Sequence, residues 1–172
     1  YYGKDLFNQL DQVRKEKTGA TVFAYRVSDP EKYGVPEFDA NGQVLKIVEK
    51  PEKAKSPYAI TGLYFYDSDV VEIVKTLKPS KRGELEITDL NEIYLKKNKL
   101  NVLLMSRGMT WFDTGSFESI FNASSFVKAI QERQGLRIGS PEEVAWRKGW
   151  ISDKDIKKIG NSFTNSYGNY LL

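Results

Sequence analysis

An α/β fold, with a mixed sheet flanked by helices and a small helical appendage behind it, is predicted by three observations. A helix-period segment, Lys4 to Lys17, runs through Thr18-Gly19 straight into the β-branched and aromatic stretch Ala20 to Val27. Strand-like and helix-like stretches then alternate as far as Gly135, the pattern of a layered α/β domain. Beyond Gly135 the strand-like runs stop and short helix signals replace them. We expect a main domain over residues 1–135 and an appendage over 136–172.

The elements follow in order. Leu6, Phe7, Leu10 and Val13 fall on one face of the first helix. Val35 to Phe38 and Gln43 to Val48 read as a hairpin around Asp39-Ala40-Asn41-Gly42, where Asn41-Gly42 supplies the positive φ of the turn. Pro36 confines its strand to an edge or a bulge. Tyr58 to Tyr66 is strongly β-prone, and Asp67 or Ser68 is placed to cap a helix running to Leu77. A polar loop, Lys78 to Gly83, leads to a helix over Ile87 to Lys97, a strand over Leu100 to Met105 and a short apolar run from Met109 to Phe112. The long helix from Ser116 ends at Gly135, a residue type favoured just past a helix end. Ser140-Pro141-Glu142-Glu143 reads as a capping box, and Ser152-Asp153-Lys154-Asp155 as a weaker one.

Composition narrows the chemistry. The 172 residues are 40% hydrophobic and 28% charged, the balance of a globular protein. The net charge of +3 is small and scattered, so no nucleic-acid partner is expected. There is no Cys and no His, which excludes disulfides, Ser-His and Cys-His triads and most transition-metal sites. Asp, Glu, Lys, Arg and Tyr remain, an inventory suited to Mg²⁺ and phosphate. No apolar run approaches the roughly 20 residues of a membrane span, nothing reads as a signal peptide, and a cytoplasmic location without membrane contact is expected. The opening Tyr1-Tyr2-Gly3 carries no Met and runs directly into helical periodicity, so we expect a segment whose natural start lies upstream.

Three clusters bear chemistry. Glu49-Lys50-Pro51 places a carboxylate and an ammonium side by side at a strand end, able to meet sugar hydroxyls and a phosphate; an ordinary charged strand end is the plainer alternative. Arg82, beside Gly83 on a loop, offers a bidentate guanidinium to phosphate oxygens, although loop arginines next to glycine are common. Asp113-Thr114-Gly115 sets a carboxylate after an apolar run, suited to one face of a Mg²⁺, with helix capping by Asp113 or Thr114 as the competing role. Tyr33-Gly34 and Thr61-Gly62 put glycines where a backbone approaches a ligand, or where a strand merely bulges or turns. The aromatics of Tyr64-Phe65-Tyr66 and Phe23-Ala24-Tyr25 are expected mainly in the core.

Taken in order, these stretches resemble the sugar nucleotidyltransferase family, and within it the bacterial glucose-1-phosphate thymidylyltransferases. The resemblance rests on Thr18-Gly19-Ala20-Thr21-Val22-Phe23-Ala24-Tyr25, Tyr33-Gly34-Val35, Glu37-Phe38-Asp39, Glu49-Lys50-Pro51, Thr61-Gly62-Leu63-Tyr64-Phe65-Tyr66-Asp67, Arg82-Gly83-Glu84-Leu85-Glu86-Ile87-Thr88-Asp89 and Trp111-Phe112-Asp113-Thr114-Gly115. It continues through Gln134-Gly135-Leu136, Pro141-Glu142-Glu143 and Tyr167-Gly168-Asn169-Tyr170-Leu171, and so covers nearly the whole chain. It implies a Rossmann-like sheet and a Mg²⁺-dependent attack of glucose-1-phosphate on the α-phosphorus of dTTP, giving dTDP-glucose and pyrophosphate. By the same resemblance Lys50 and Arg82 bind the sugar phosphate, Gly34, Glu49, Gly62 and Tyr64 contact the sugar, and Asp113 is the second magnesium carboxylate.

The family's G-G-x-G-T-R-L loop, its base-reading residues and its first magnesium Asp precede the position of Tyr1, so the chain by itself is expected to be inactive. The resemblance further implies a tetramer, a role in dTDP-rhamnose and surface polysaccharide synthesis, and a feedback-inhibition site matching Gly3, Arg107, Ser140, Glu143 and Val144. A sibling enzyme using UTP or ATP, and a non-catalytic sugar-phosphate-binding module, are the alternatives.

Overall fold

The computed structural model describes residues 1–15, 18–80 and 83–172. The chain forms two compact units, Tyr1–Trp111 and Phe112–Leu172. The division falls before the long helix, whereas the change of composition on which the expected boundary at 135 rested falls after it.

In the first unit, β1 (Ala20–Arg26) is the centre of a three-stranded mixed sheet, antiparallel to β4 (Tyr58–Tyr66) and parallel to β5 (Leu100–Leu104). Its central position explains the apolar sequence: Ala20 to Ala24 are all buried, as a strand covered on both faces requires. Strand alternation sends the two sets of side chains to opposite layers. Phe23 packs with Val13, Met105 and Met109, under Leu6 and Leu10 of α1 (Leu6–Lys15). On the other face, Ala20 packs with Ile73 of α2 (Val70–Val74) and with Leu90 and Tyr94 of α3 (Ile87–Lys96). Val22 and Ala24 meet Ile47 and Ile60 there. Phe7, read as part of the apolar face of α1, is 69% exposed and stays outside this packing.

The hairpin forms as expected, with β2 (Gly34–Phe38) antiparallel to β3 (Val44–Glu49) in a separate two-stranded sheet. Pro36 is tolerated because neither strand is central, and a bulge falls between Glu37 and Phe38. In the turn only Gly42 has positive φ; the Asp39 carboxylate fixes the rest by accepting from the amides of Asn41 and Gln43, both at 2.8 Å.

After β4, the helix is shorter than expected, ending at Val74, and its first residue is not side-chain capped. Asp67 instead ties three elements together. Its carboxylate accepts from the Gly19 amide at 2.6 Å, the Tyr94 hydroxyl at 2.7 Å and the Asp69 amide at 3.2 Å. The Gly19 bond above all, then the Tyr94 bond, hold its pKa below the ordinary 3.8. A carboxyl with a depressed folded pKa stabilises above its unfolded value, and that contribution disappears as pH falls through the folded one. Asp67→Asn is therefore expected to flatten the acid-side loss of stability, as read from urea midpoints between pH 7 and 3; parallel pH profiles for variant and wild type would contradict this.

The second unit is helical: α4 (Phe117–Gln134), α5 (Pro141–Arg147), α6 (Asp153–Ser162) and α7 (Ser166–Leu171). Ser116 caps α4 in a reciprocal capping box with Ser119, and Gly135 closes it in the left-handed conformation. The relative strength of the two later caps is the reverse of the expectation. Ser152 and Asp155 form the complete box, whereas at Ser140 only the forward bond to the Glu143 amide is made. The Glu143 carboxylate is engaged elsewhere, by Arg147 Nε at 2.7 Å and by the Tyr170 hydroxyl.

Helices α6 and α7 meet backbone to backbone. A Cβ at Gly168 would lie 2.6 Å from the carbonyl oxygens of both Gly160 and Phe163. Neither main-chain oxygen has a flexible side chain's freedom to move away, so Gly168→Ala is expected to cost about 2 kcal/mol or more. An unchanged urea midpoint would show that the helices separate freely.

Candidate sugar-phosphate site

The candidate residues of the first unit gather where β2, β3 and α3 converge. Gly34 pairs with Glu49 across the hairpin, and Glu49, the last residue of β3, is half-buried. Thr88, in the first turn of α3, donates its hydroxyl to Glu49 Oε2 at 2.7 Å. A Cβ on Gly34 would stand 3.3 Å from that carboxylate oxygen and 3.4 Å from Thr88 Oγ1. The lack of a side chain at 34 therefore keeps the carboxylate and its hydroxyl partner uncrowded.

Lys50 leaves the ladder in a left-handed conformation, φ 42°, while its amide donates to the Tyr33 carbonyl at 3.0 Å. A non-glycine residue there carries strain of order 1 kcal/mol. Its side chain is exposed, and its ammonium makes no ion pair among the described residues. Backbone strain at a residue with an uncommitted cation points to a ligand-directed role.

Gly62 lies at an irregularity in β4: the register against β1 slips between Val22 and Ala24, and Gly62 has φ 69°. The strand bulges at Gly62, and the space beside its Cα is open. Tyr64, two residues on, is half-buried beside Glu49. Burial first, then the Glu49 charge and Tyr1, push its phenol up to about 12, so it is a neutral hydrogen-bonding hydroxyl at physiological pH. The expected core role of the aromatics holds for Phe23 and Phe65, whose rings lie 6.2 Å apart.

Several participants were not singled out from the sequence. Thr88 and Asn91 are polar residues on the buried side of α3, and that interruption of an apolar stripe was the available signal. Tyr1 donates its hydroxyl to the Thr61 carbonyl beside Gly62, and the Trp111 indole lies near that hydroxyl. Trp111 in turn meets Tyr33 edge-on at 5.3 Å, so an aromatic wall links Thr61-Gly62 to Tyr33-Gly34.

The remaining candidates lie apart or beyond description. Arg82 lies outside the described residues. Asp113 belongs to the second unit, exposed on an irregular stretch. The apolar run before it forms only isolated bridges, Tyr2 with Thr110 and Arg107 with Met109. Capping, the competing role for Asp113 and Thr114, is filled by Ser116. Among the described residues no group of three carboxylates or other ligating side chains gathers for a metal. A lone exposed carboxylate such as Asp113 is chemically suited to at most one position on Mg²⁺, an ion that takes its other ligands from waters and phosphates.

Of the expected regulatory residues, Gly3 and Arg107 converge on Met109: Gly3 lies against its Cα, and Arg107 bridges to it. Arg107 also lines a cavity of about 560 Å³ with Arg26, Tyr25 and Tyr58. In the second unit, Ser140 is buried and hydrogen-bonded to Tyr167 at 2.7 Å. Burial would raise the Glu143 pKa, but the Tyr170 hydrogen bond and the Arg147 charge outweigh it and hold Glu143 ionised below its ordinary range. Val144 is 48% exposed.

Known proteins resemble this chain throughout its length. The nucleotidyl transferase family profile matches residues 1–130. A glucose-1-phosphate thymidylyltransferase of Neisseria meningitidis is 49% identical, and one of Mycobacterium tuberculosis 48%; each match takes in all of this chain and 60% of the relative. The chain thus spans about 60% of the length of the curated relatives it matches. A Bacillus anthracis protein, assigned as a glucose-1-phosphate thymidylyltransferase and solved with a sucrose, superimposes with a TM-score of 0.67 at 38% identity, over 80% of this chain and 52% of that one. A UDP-glucose pyrophosphorylase solved with UDP-glucose gives 0.63 at 27%, over 74% and 52%. No helix among the described residues is long and apolar enough to cross a membrane. On the breadth of the profile match, this chain belongs to the nucleotidyl transferase family.

Proposed function

We propose that the chain is the sugar-phosphate-binding portion of a glucose-1-phosphate thymidylyltransferase, which joins glucose-1-phosphate to dTTP and releases dTDP-glucose and pyrophosphate. The observation that carries this reading is the Gly34–Glu49–Thr88 cradle, with the strained Lys50 beside it, whose ammonium makes no ion pair among the described residues. Relatives bearing that activity support it at 48–49% identity. A UTP-using sibling has the lesser support of 27% identity to a UDP-glucose pyrophosphorylase.

Glu49 accepts hydrogen bonds from sugar hydroxyls, Tyr64 offers a neutral phenol to the same sugar, and the main chain at Gly34 and Gly62 approaches it closely. Lys50, joined by Arg82, neutralises and orients the phosphate. A phosphate oxygen of the sugar then forms a bond to the α-phosphorus of dTTP, while the bond from that phosphorus to the bridging oxygen breaks and pyrophosphate leaves. No general base is required, because the attacking oxygen is already anionic. Asp113 would hold Mg²⁺, which supplies charge neutralisation at the nucleotide phosphates when bound. Positioning and electrostatics are the main source of rate in this chemistry.

The complete site also needs a nucleotide-binding loop, and no G-G-x-G-T-R-L stretch occurs within these 172 residues. Feedback inhibition through Gly3, Arg107, Ser140, Glu143 and Val144, a tetrameric assembly, a cytoplasmic location and supply of dTDP-rhamnose for polysaccharide belong to the same proposal. The test is pyrophosphate release from dTTP and glucose-1-phosphate with Mg²⁺, for this chain and for a longer enzyme containing it. Turnover by the longer enzyme alone is expected; robust turnover by the chain, or none by either with any sugar phosphate, would overturn the reading.

A further inference from the structure

We propose that Asn91 is a positioning residue for the sugar site, holding Tyr66 so that Tyr64 is fixed beside Glu49; the proposal rests on the functional reading above. Asn91 is 1% exposed, on the buried side of α3. Its Oδ1 accepts from the Tyr66 hydroxyl at 2.6 Å, while its Nδ2 has no acceptor among the described residues. A buried donor left unmade is unfavourable and offsets much of what the Tyr66 bond contributes to folding. With one bond made and one left unmade, the amide's own hydrogen-bond balance gives little reason for its presence here.

The surroundings supply one. The Tyr66 ring stacks on Tyr64, with centroids 6.1 Å apart and planes 15° from parallel. Thr88, one turn before Asn91 on the same helix, holds the Glu49 carboxylate. One helix thus fixes both groups offered to the sugar, Glu49 directly and Tyr64 through Tyr66. Discrimination between hexose phosphates differing in one hydroxyl requires such fixed partners, since an unpaired buried polar group penalises the wrong sugar.

The test uses Asn91→Leu and Tyr66→Phe in the longer enzyme. Asn91→Leu removes the unmade donor together with the Tyr66 acceptor, so it is expected to melt near the wild-type temperature while KM for glucose-1-phosphate rises about tenfold and KM for dTTP stays unchanged. Tyr66→Phe should raise the same KM, and the double variant should be no worse than the more impaired single one. An unchanged sugar-phosphate KM, or equal losses for both substrates, would overturn the role of Asn91. Tyrosine-ring NMR of the 172-residue chain gives a readout independent of activity: the Tyr64 resonances should shift in both single variants, and unshifted resonances would also overturn it. Absence of nucleotidyl transfer by the wild-type longer enzyme would instead contradict the functional reading.

Discussion

In the longer enzyme, Lys50→Gly is expected to melt higher than wild type and yet to lose most of its turnover on glucose-1-phosphate. The two effects have separate causes. Relief of the left-handed φ of 42° should stabilise by about 1 kcal/mol. Loss of a charge-assisted phosphate contact should cost roughly 1.5 to 3 kcal/mol of transition-state binding, a factor of about 10 to 150. Lys50→Ala separates them further, since it loses the contact but keeps the strain, and should be both slow and no more stable. Thermal melts beside initial rates measure both quantities. If Lys50→Gly were stabilised and fully active, the strain would have no connection with the site.

Glu49→Ala is expected to lower kcat/KM for glucose-1-phosphate by roughly a hundredfold, because the charged acceptor proposed for the sugar hydroxyls is lost. The KM for dTTP should not change. Gly34→Ala approaches the same defect from the backbone. Its methyl would enter at 3.3 Å from Glu49 Oε2 and 3.4 Å from Thr88 Oγ1, so the pair must shift by a few tenths of an ångström, and a milder loss in the same parameter is expected. Steady-state rates at varied sugar phosphate measure this; equal losses toward both substrates would show that the cradle supports the fold and not the sugar.

The order of elements was legible in the sequence because local chemistry decides it. β-Branched runs became β1 and β4, and Gly135 ended α4. What needed the structure was tertiary. Nothing local distinguishes Phe7, left exposed, from Leu6 and Leu10, which meet the sheet. The Ser140 capping box is incomplete because Tyr170 and Arg147, one of them far along the chain, recruit the Glu143 carboxylate.

At the site, Gly34, Glu49, Lys50, Gly62 and Tyr64 were named from sequence, but their supports were not. Thr88 and Asn91 look like ordinary helix polar residues until α3 is laid on β3 and β4 and their side chains turn inward. The conformation of Lys50 was equally unforeseeable, since a lysine before proline gives no sign of positive φ.

The most direct test of the account is a titration of this chain with glucose-1-phosphate, followed by amide NMR. Saturable shifts confined to the amides of Gly34, Glu49, Lys50, Gly62 and Tyr64, and absent in Lys50→Ala, are the predicted result. Shifts elsewhere, or the same response in wild type and Lys50→Ala, would contradict the claim that this chain carries the sugar-phosphate site.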